Sequence, residues 1–257
     1  MKEIRAFGLD NCEVKERPQL SPQWFGGYFE AGNSMSICLT GNRAWPILRI
    51  SEDSLELLEY IRSTLGVDDV SIYSSKADNS NTLSITRERA VTLAGIMSQY
   101  VLSKRDVIEH ILWWGEASNA KEKYQVGLSY KNSRKKRPVE VKEYCKLLSD
   151  PLYAAGVIDA KGRPWKYSYN YSKNGSERVY RSCRKGMRVY SNNINLLSAV
   201  RSHYLGSKPI WHDGVYIWSL EGDDYDSCLE QLGRFMVIYP ERVRLKKGEL
   251  DLQFGKE

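Results

Sequence analysis

Pro22-Gln23-Trp24-Phe25-Gly26-Gly27-Tyr28-Phe29-Glu30-Ala31-Gly32 and Pro151-Leu152-Tyr153-Ala154-Ala155-Gly156-Val157-Ile158-Asp159-Ala160-Lys161-Gly162 are two copies of one design. Each opens with proline, which suits the first helical position. Each follows a good N-cap residue, Ser21 or Asp150. Each then carries a pair of small residues, two larger apolar residues, an acid and an alanine. Glycine inside a helix costs roughly 1 kcal/mol relative to alanine, so small residues repeated here need a packing reason. Gly27 with Ala31, and Gly156 with Ala160, are four apart and share a helix face. Gly26 and Ala155 add room beside them. The pattern predicts two helices packed closely on each other through Gly26, Gly27, Ala31, Ala155, Gly156 and Ala160.

The duplication continues downstream. Ser34 to Leu39 and Trp45 to Ile50 read as short strands around a Gly-Asn-Arg turn, with Ser51 and Asp53 capping a helix from Leu55 to Gly66. In the second half, strands near Trp165 to Tyr171 and Met187 to Tyr190 lead to a helix from Leu196 to Gly206. Each half then offers two more strands: Val70 to Tyr73 with Leu83 to Thr86, and Pro209 to Trp211 with Val215 to Ser219. Closing helices are expected from Arg87 to about Ser118 and from Tyr225 to about Ile238. The basic, polar run Lys131-Asn132-Ser133-Arg134-Lys135-Lys136-Arg137-Pro138 reads as a linker. The organisation expected is a first repeat over 18–128, a linker over 129–147 and a second repeat over 148–257.

Both helix segments resemble the LAGLIDADG motif, at Phe25 to Asn33 and Ala154 to Gly162. Trp24 to Ile37 is close to the usual first repeat of the LAGLIDADG homing endonucleases. Arg244-Leu245-Lys246-Lys247-Gly248-Glu249-Leu250 is similar to the basic segment that opens the family's late helix, and Val101-Leu102-Ser103-Lys104-Arg105-Asp106 to its first-half counterpart. The resemblance spans about residues 20 to 254. It implies an α+β fold of two pseudo-symmetric αββαββα repeats, packed through the paired motif helices, each with a curved antiparallel sheet. Lys104 and Lys246 are the basic residues it carries over.

The resemblance also implies a chemistry that this sequence departs from. The eighth motif position is acidic in each repeat of the family, and the two carboxylates hold divalent metal against the scissile phosphates. Here those positions are Gly32 and Lys161. Glycine offers no ligand, and lysine puts a cation where a metal ion would stand. The sixth-position acids, Glu30 and Asp159, are the fallback ligands, but two residues turn a helix by about 200°, which aims them elsewhere. A hydrogen-bonding role near the helix end is expected for both. No catalytic residue, metal site or cofactor is therefore expected, and Mg²⁺ enters only if nuclease activity is retained.

The candidate nucleic-acid face is the second half's first hairpin. Lys161 to Tyr190 holds nine Lys/Arg residues and one acid, Glu177. Besides Lys161 they are Arg163, Lys166, Lys173, Arg178, Arg181, Arg184, Lys185 and Arg188. Trp165-Lys166-Tyr167-Ser168-Tyr169-Asn170-Tyr171 alternates, with aromatics expected on one face and Lys166, Ser168 and Asn170 on a polar face suited to base edges and phosphates. The first half is thinner: Arg43, Arg49, Lys76 and Arg87 are spread out.

The bulk numbers agree with this class. The 257 residues are 42% hydrophobic and 27% charged, with a net charge of +6, which is globular and mildly basic. Cys12, Cys38, Cys145, Cys183 and Cys228 form no CxxC pair and only three histidines accompany them, so reduced packing cysteines are expected and zinc spacing is absent. The opening residues have no apolar run, and no segment reaches the roughly 20 apolar residues of a membrane span, so a cytoplasmic, nucleoid or organelle-matrix monomer is expected. The readings left open are a DNA-binding protein without cleavage, an intron RNA maturase, a site-specific Mg²⁺-dependent endonuclease, and an assembly protein that binds another protein through aromatics such as Trp113, Trp114, Trp165, Trp211 and Trp218.

Overall fold

Ser21 and Asp150 cap the two motif helices as their side chains allow. Ser21 Oγ accepts from Trp24 N at 3.1 Å and Asp150 Oδ1 from Leu152 N at 2.9 Å. The computed structural model describes residues 20–75, 80–133, 138–172, 179–239 and 242, with backbone alone at 167–172 and 179–183. The chain divides into two compact units between Glu140 and Val141.

In the first unit α1 (Pro22–Ala31) leads into β1 (Ser34–Thr40) and β2 (Arg43–Glu52). Helix α2 (Leu55–Thr64), β3 (Ile72–Ser75), β4 (Ser80–Thr86), α3 (Arg87–Met97), α4 (Arg105–Glu116) and α5 (Ala120–Asn132) follow. The second unit runs α6 (Val141–Leu148), α7 (Pro151–Lys161), β5 (Gly162–Ser172), β6 (Val179–Ser191), α8 (Ile194–Tyr204), β7 (Ile210–His212), β8 (Val215–Glu221) and α9 (Gly222–Leu232), with a 3-10 turn at Gly233–Phe235. The sheets are antiparallel with the same order, β1-β2-β4-β3 and β5-β6-β8-β7. The α+β repeat read from the sequence is therefore the fold observed.

The core of the first unit gathers Trp24, Tyr28, Leu48, Ile50, Leu58, Ile61, Leu83 and Met97. Trp24 and Tyr28 stack at 4.6 Å, and Tyr28 donates its hydroxyl to Glu52 at 2.7 Å, so the one buried acid at the end of β2 has a partner. The second unit buries Tyr153, Val157, Met187, Val189, Leu197, Trp218, Leu220 and Tyr225. Alternation on β2 and β8 sends every second residue into these cores.

Three expectations are corrected. The cap of α2 is Ser54, which accepts from Leu57 N at 3.3 Å, rather than Ser51 or Asp53. Ser51 lies on β2 instead and shares a 2.9 Å hydrogen bond with Thr82. The closing helices are each interrupted: α3 stops at Met97 before α4, and α9 stops at Leu232 before the turn. The interruptions have a common cause, described below. Residues 129–147 hold the end of α5 and most of α6, while Arg134 to Arg137 lie outside the described residues. Helix α5 escaped the sequence pattern because it buries few residues, Val126, Gly127 and Tyr130. Gly127 lets it lie directly on the sheet, since a methyl there would meet Leu39 Cδ2 at 2.7 Å and Ala44 Cβ at 2.6 Å.

Candidate nucleic-acid interface

The sixth-position acid of each motif is clasped by backbone. In the first unit Glu30, 4% exposed, accepts from Leu102 N at 2.8 Å and from Ser103 N at 3.1 Å. In the second unit Asp159, 0% exposed, accepts from Val237 N at 2.7 Å, Ile238 N at 3.1 Å and Tyr239 N at 2.6 Å. These amide groups belong to the segments where the closing helices break, which explains both interruptions. A carboxylate that takes the N–H groups satisfies donors that a continuous helix would have bonded internally.

Each clasp has a cation on the neighbouring helix end. Lys104 Nζ donates to Asn33 O at 2.7 Å and also to Phe29 O. Arg242 Nη1 donates to Gly162 O at 3.0 Å and also to Asp159 O. Asn33 and Gly162 both hold the ninth motif position, so Arg242 plays in the second unit the part that Lys104 plays in the first. The carbonyls at a helix C-terminus are unsatisfied and partially negative, and a cation answers both needs. Lys246, which the family resemblance carried over as the counterpart of Lys104, lies outside the described residues along with Lys76, Lys173 and Arg178. Arg242 was missed because it precedes the basic segment that carries the resemblance. Its only signal was a cation soon after Tyr239.

Gly32 is exposed at the end of α1, and Lys161 is half-buried in the last turn of α7. Neither offers an oxygen. Glu30 and Asp159 have their oxygens occupied by amide donors, so these four residues do not fit a divalent cation. Among the described residues no three His, Cys, Asp or Glu side chains cluster as metal ligands.

The sheets carry the remaining candidates. Arg163 lies opposite Arg188, which lies opposite Ser219. Trp165 lies opposite Gly186, and Lys166 opposite Lys185. Pro164 and Gly162 pair with the buried Met187 and Val189, so Lys166 and Lys185 share the helix-covered face. There Lys185 Nζ meets Asp226 Oδ1 at 2.8 Å. The outward face instead carries Arg163, Trp165, Arg184 and Arg188, with Arg184 3.9 Å from Glu221. Over residues 162–166, where the side chains of β5 are described, the alternation has the period read from the sequence, with Lys166 on the helix-covered face and Arg163 and Trp165 outward. Side-chain type misled at Lys166 and Trp165 because β5 is an edge strand, where an aromatic is not required to fill the core. Ser168, Asn170 and Arg181 have backbone positions on β5 and β6 and no described side chain. On the first sheet Arg43 and Arg49 are exposed, and Arg49 stands between Ser34 and Ser84. Gly26 sits where a methyl would overlap Cβ of Tyr100, so its smallness serves a contact inside its own unit.

Among the described residues no helix is long and apolar enough to cross a membrane. No protein-family model matches the sequence, and no curated protein matches it. Solved structures do match along most of the chain. The LAGLIDADG meganuclease I-AabMI bound to uncleaved DNA is 17% identical with a TM-score of 0.65, covering 92% of each chain. The I-SmaMI LAGLIDADG homing endonuclease bound to cleaved DNA is 13% identical with a TM-score of 0.65, covering 89% of this chain and 87% of that one. The I-LtrWI LAGLIDADG homing endonuclease bound to target DNA is 12% identical with a TM-score of 0.62, covering 91% and 90%. The duplicated motif helices, the two sheets of equal order and this likeness together give the chain the fold of the single-chain LAGLIDADG homing endonucleases.

Proposed function

We propose that this chain binds duplex DNA at a specific sequence and does not cut it. The observation that carries the reading is the state of the four acid positions: Gly32 and Lys161 have no carboxylate, and the carboxylates of Glu30 and Asp159 are taken up by backbone amides. The scaffold around them is kept. Arg163, Arg184 and Arg188 on one sheet and Arg43 and Arg49 on the other supply outward cations for phosphates and base edges. Several structures it resembles were solved on DNA, among them I-AabMI and I-SmaMI. Lys161 would act on the nucleic acid as a cation for phosphate.

The test is one binding assay with duplex DNA, structured RNA and no-nucleic-acid controls, run across salt concentrations and paired with a plasmid-nicking assay in Mg²⁺. Duplex DNA should bind best, with log K falling by roughly 0.9 per neutralised phosphate against log salt. Preference for folded RNA would turn the reading to an intron RNA cofactor, and absence of any binding to a protein-assembly role. Nicking by the wild-type chain with Mg²⁺ would overturn the loss of cleavage.

A further inference from the structure

On β6, Gly186 removes the side chain that would otherwise stand beside the indole of Trp165. A methyl at Gly186 would fall 2.7 Å from Trp165 Cζ2 and 2.8 Å from Cε2, so the ring rests against the sheet at the glycine. Arg188, two residues along on the same face, holds its guanidinium 5.5 Å from the centre of that ring. The indole thus lies between the sheet at Gly186 and a guanidinium within cation–π reach. Trp165 Nε1 is buried and has no hydrogen-bond partner among the described residues, where a tryptophan kept for stability alone normally finds one. Arg188 is exposed and has no hydrogen-bond or ion-pair partner among the described residues. Its neighbours on β6 differ: Arg184 faces Glu221 and Lys185 is bound to Asp226.

We infer that Arg188 is a guanine-reading residue, held ready by Trp165. This rests on the DNA-binding reading above. A guanidinium drawn to an aromatic ring has lost part of its rotamer freedom, and its planar fork matches O6 and N7 of guanine in the major groove. Position on the sheet selects a base over a phosphate. A major groove about 12 Å wide admits two or three strands spaced about 4.8 Å apart, so central strands face base edges and outer strands face the backbone. β6 is central, between β5 and β8. Arg49 occupies the same register in the first sheet, between Ser34 and Ser84, but Ser36 and Ile47 stand where the second sheet has Trp165 and Gly186. Arg49 therefore has no such platform.

The experiment selects bound sites from a randomised duplex library with the full chain, then measures affinity for every single-base variant of the selected site. Wild type should require guanine at one position. Arg188→Ala and Arg188→Lys should both lose that preference by roughly 10- to 100-fold. The lysine variant should keep the salt slope, because it keeps the charge. Substituting 7-deazaguanine at that position should weaken wild type and leave Arg188→Ala unaffected, and Trp165→Leu should relax the preference in part. Equal weakening of all sequences by Arg188→Ala, with the salt slope reduced by about 0.9, would assign a phosphate contact and overturn the inference while DNA binding stands. Failure of wild type to bind any duplex would instead remove the function on which it rests.

Discussion

Replacing Asp159 with asparagine keeps the shape of the side chain and turns one acceptor oxygen into an NH₂ donor. Oδ1 accepts from Ile238 N and Tyr239 N, and Oδ2 from Val237 N. The asparagine oxygen can retain two of these bonds, but the new amide then confronts the N–H of Val237. One hydrogen bond to a charged acceptor disappears, worth about 1.5–3 kcal/mol, and a buried donor is left unmade. The two surviving bonds weaken as the charge goes. Relief of a buried charge offsets part of this. The net loss expected is about 2–4 kcal/mol, out of a typical total of about 5–15 kcal/mol. Urea unfolding followed by tryptophan fluorescence reads it directly, as a lower midpoint at unchanged slope. Glu30→Gln should cost less, about 1–3 kcal/mol, since Leu102 N and Ser103 N are the two amides engaged and the site is partly open. Midpoints equal to wild type for both variants would refute the clasp. A normal midpoint for Asp159→Asn with impaired DNA binding would place the carboxylate at the nucleic-acid surface.

Other outcomes follow from the same geometry. Gly26→Ala should destabilise the chain by about 1–3 kcal/mol in thermal or urea unfolding, because the added methyl overlaps Tyr100 and outweighs alanine's helix preference. Alkaline titration should unfold the second unit early. Burial pushes the Cys228 thiol up to about 12 and the Tyr225 hydroxyl up to about 12, from ordinary values of 9.0 and 10.0. The folded state then binds more protons than the unfolded state, so stability is full below about pH 9 and falls progressively toward pH 12, as circular dichroism across that range will register. Gly32→Glu combined with Lys161→Asp should introduce Mg²⁺-dependent nicking of a bound duplex. The backbone at Gly32, with φ −151°, accepts a side chain. An inactive double variant that still folds and binds would mean that more than the two ligands has been lost.

Particular residues mark how far the sequence reached. Pro22 and Pro151 behind their caps, and the repeated small-residue pairs, announced both motif helices because capping and helix periodicity act over a few residues. The order of strands and helices came from duplication, which needs no tertiary information. The vacancy at Gly32 and the cation at Lys161 were visible as residue types in a known pattern. The clasps were partly visible: a hydrogen-bonding role suited Glu30 and Asp159, but their amide partners lie 72 to 80 residues away in the chain. The same distance hid the breaks after Met97 and Leu232, since the helical pattern there is continuous and only a remote carboxylate interrupts it. Arg242 was invisible for that reason as well.

By itself, then, the sequence determined the repeat, the starts of the two motif helices and the residue types at their acid positions, all local properties of composition and spacing. The tertiary structure alone decided which face of β5 looks outward, because two-residue alternation defines two faces and only the covering helices say which is inside. It also decided that Trp165 lies at Gly186 beneath Arg188, a meeting of β5 and β6 set by strand register.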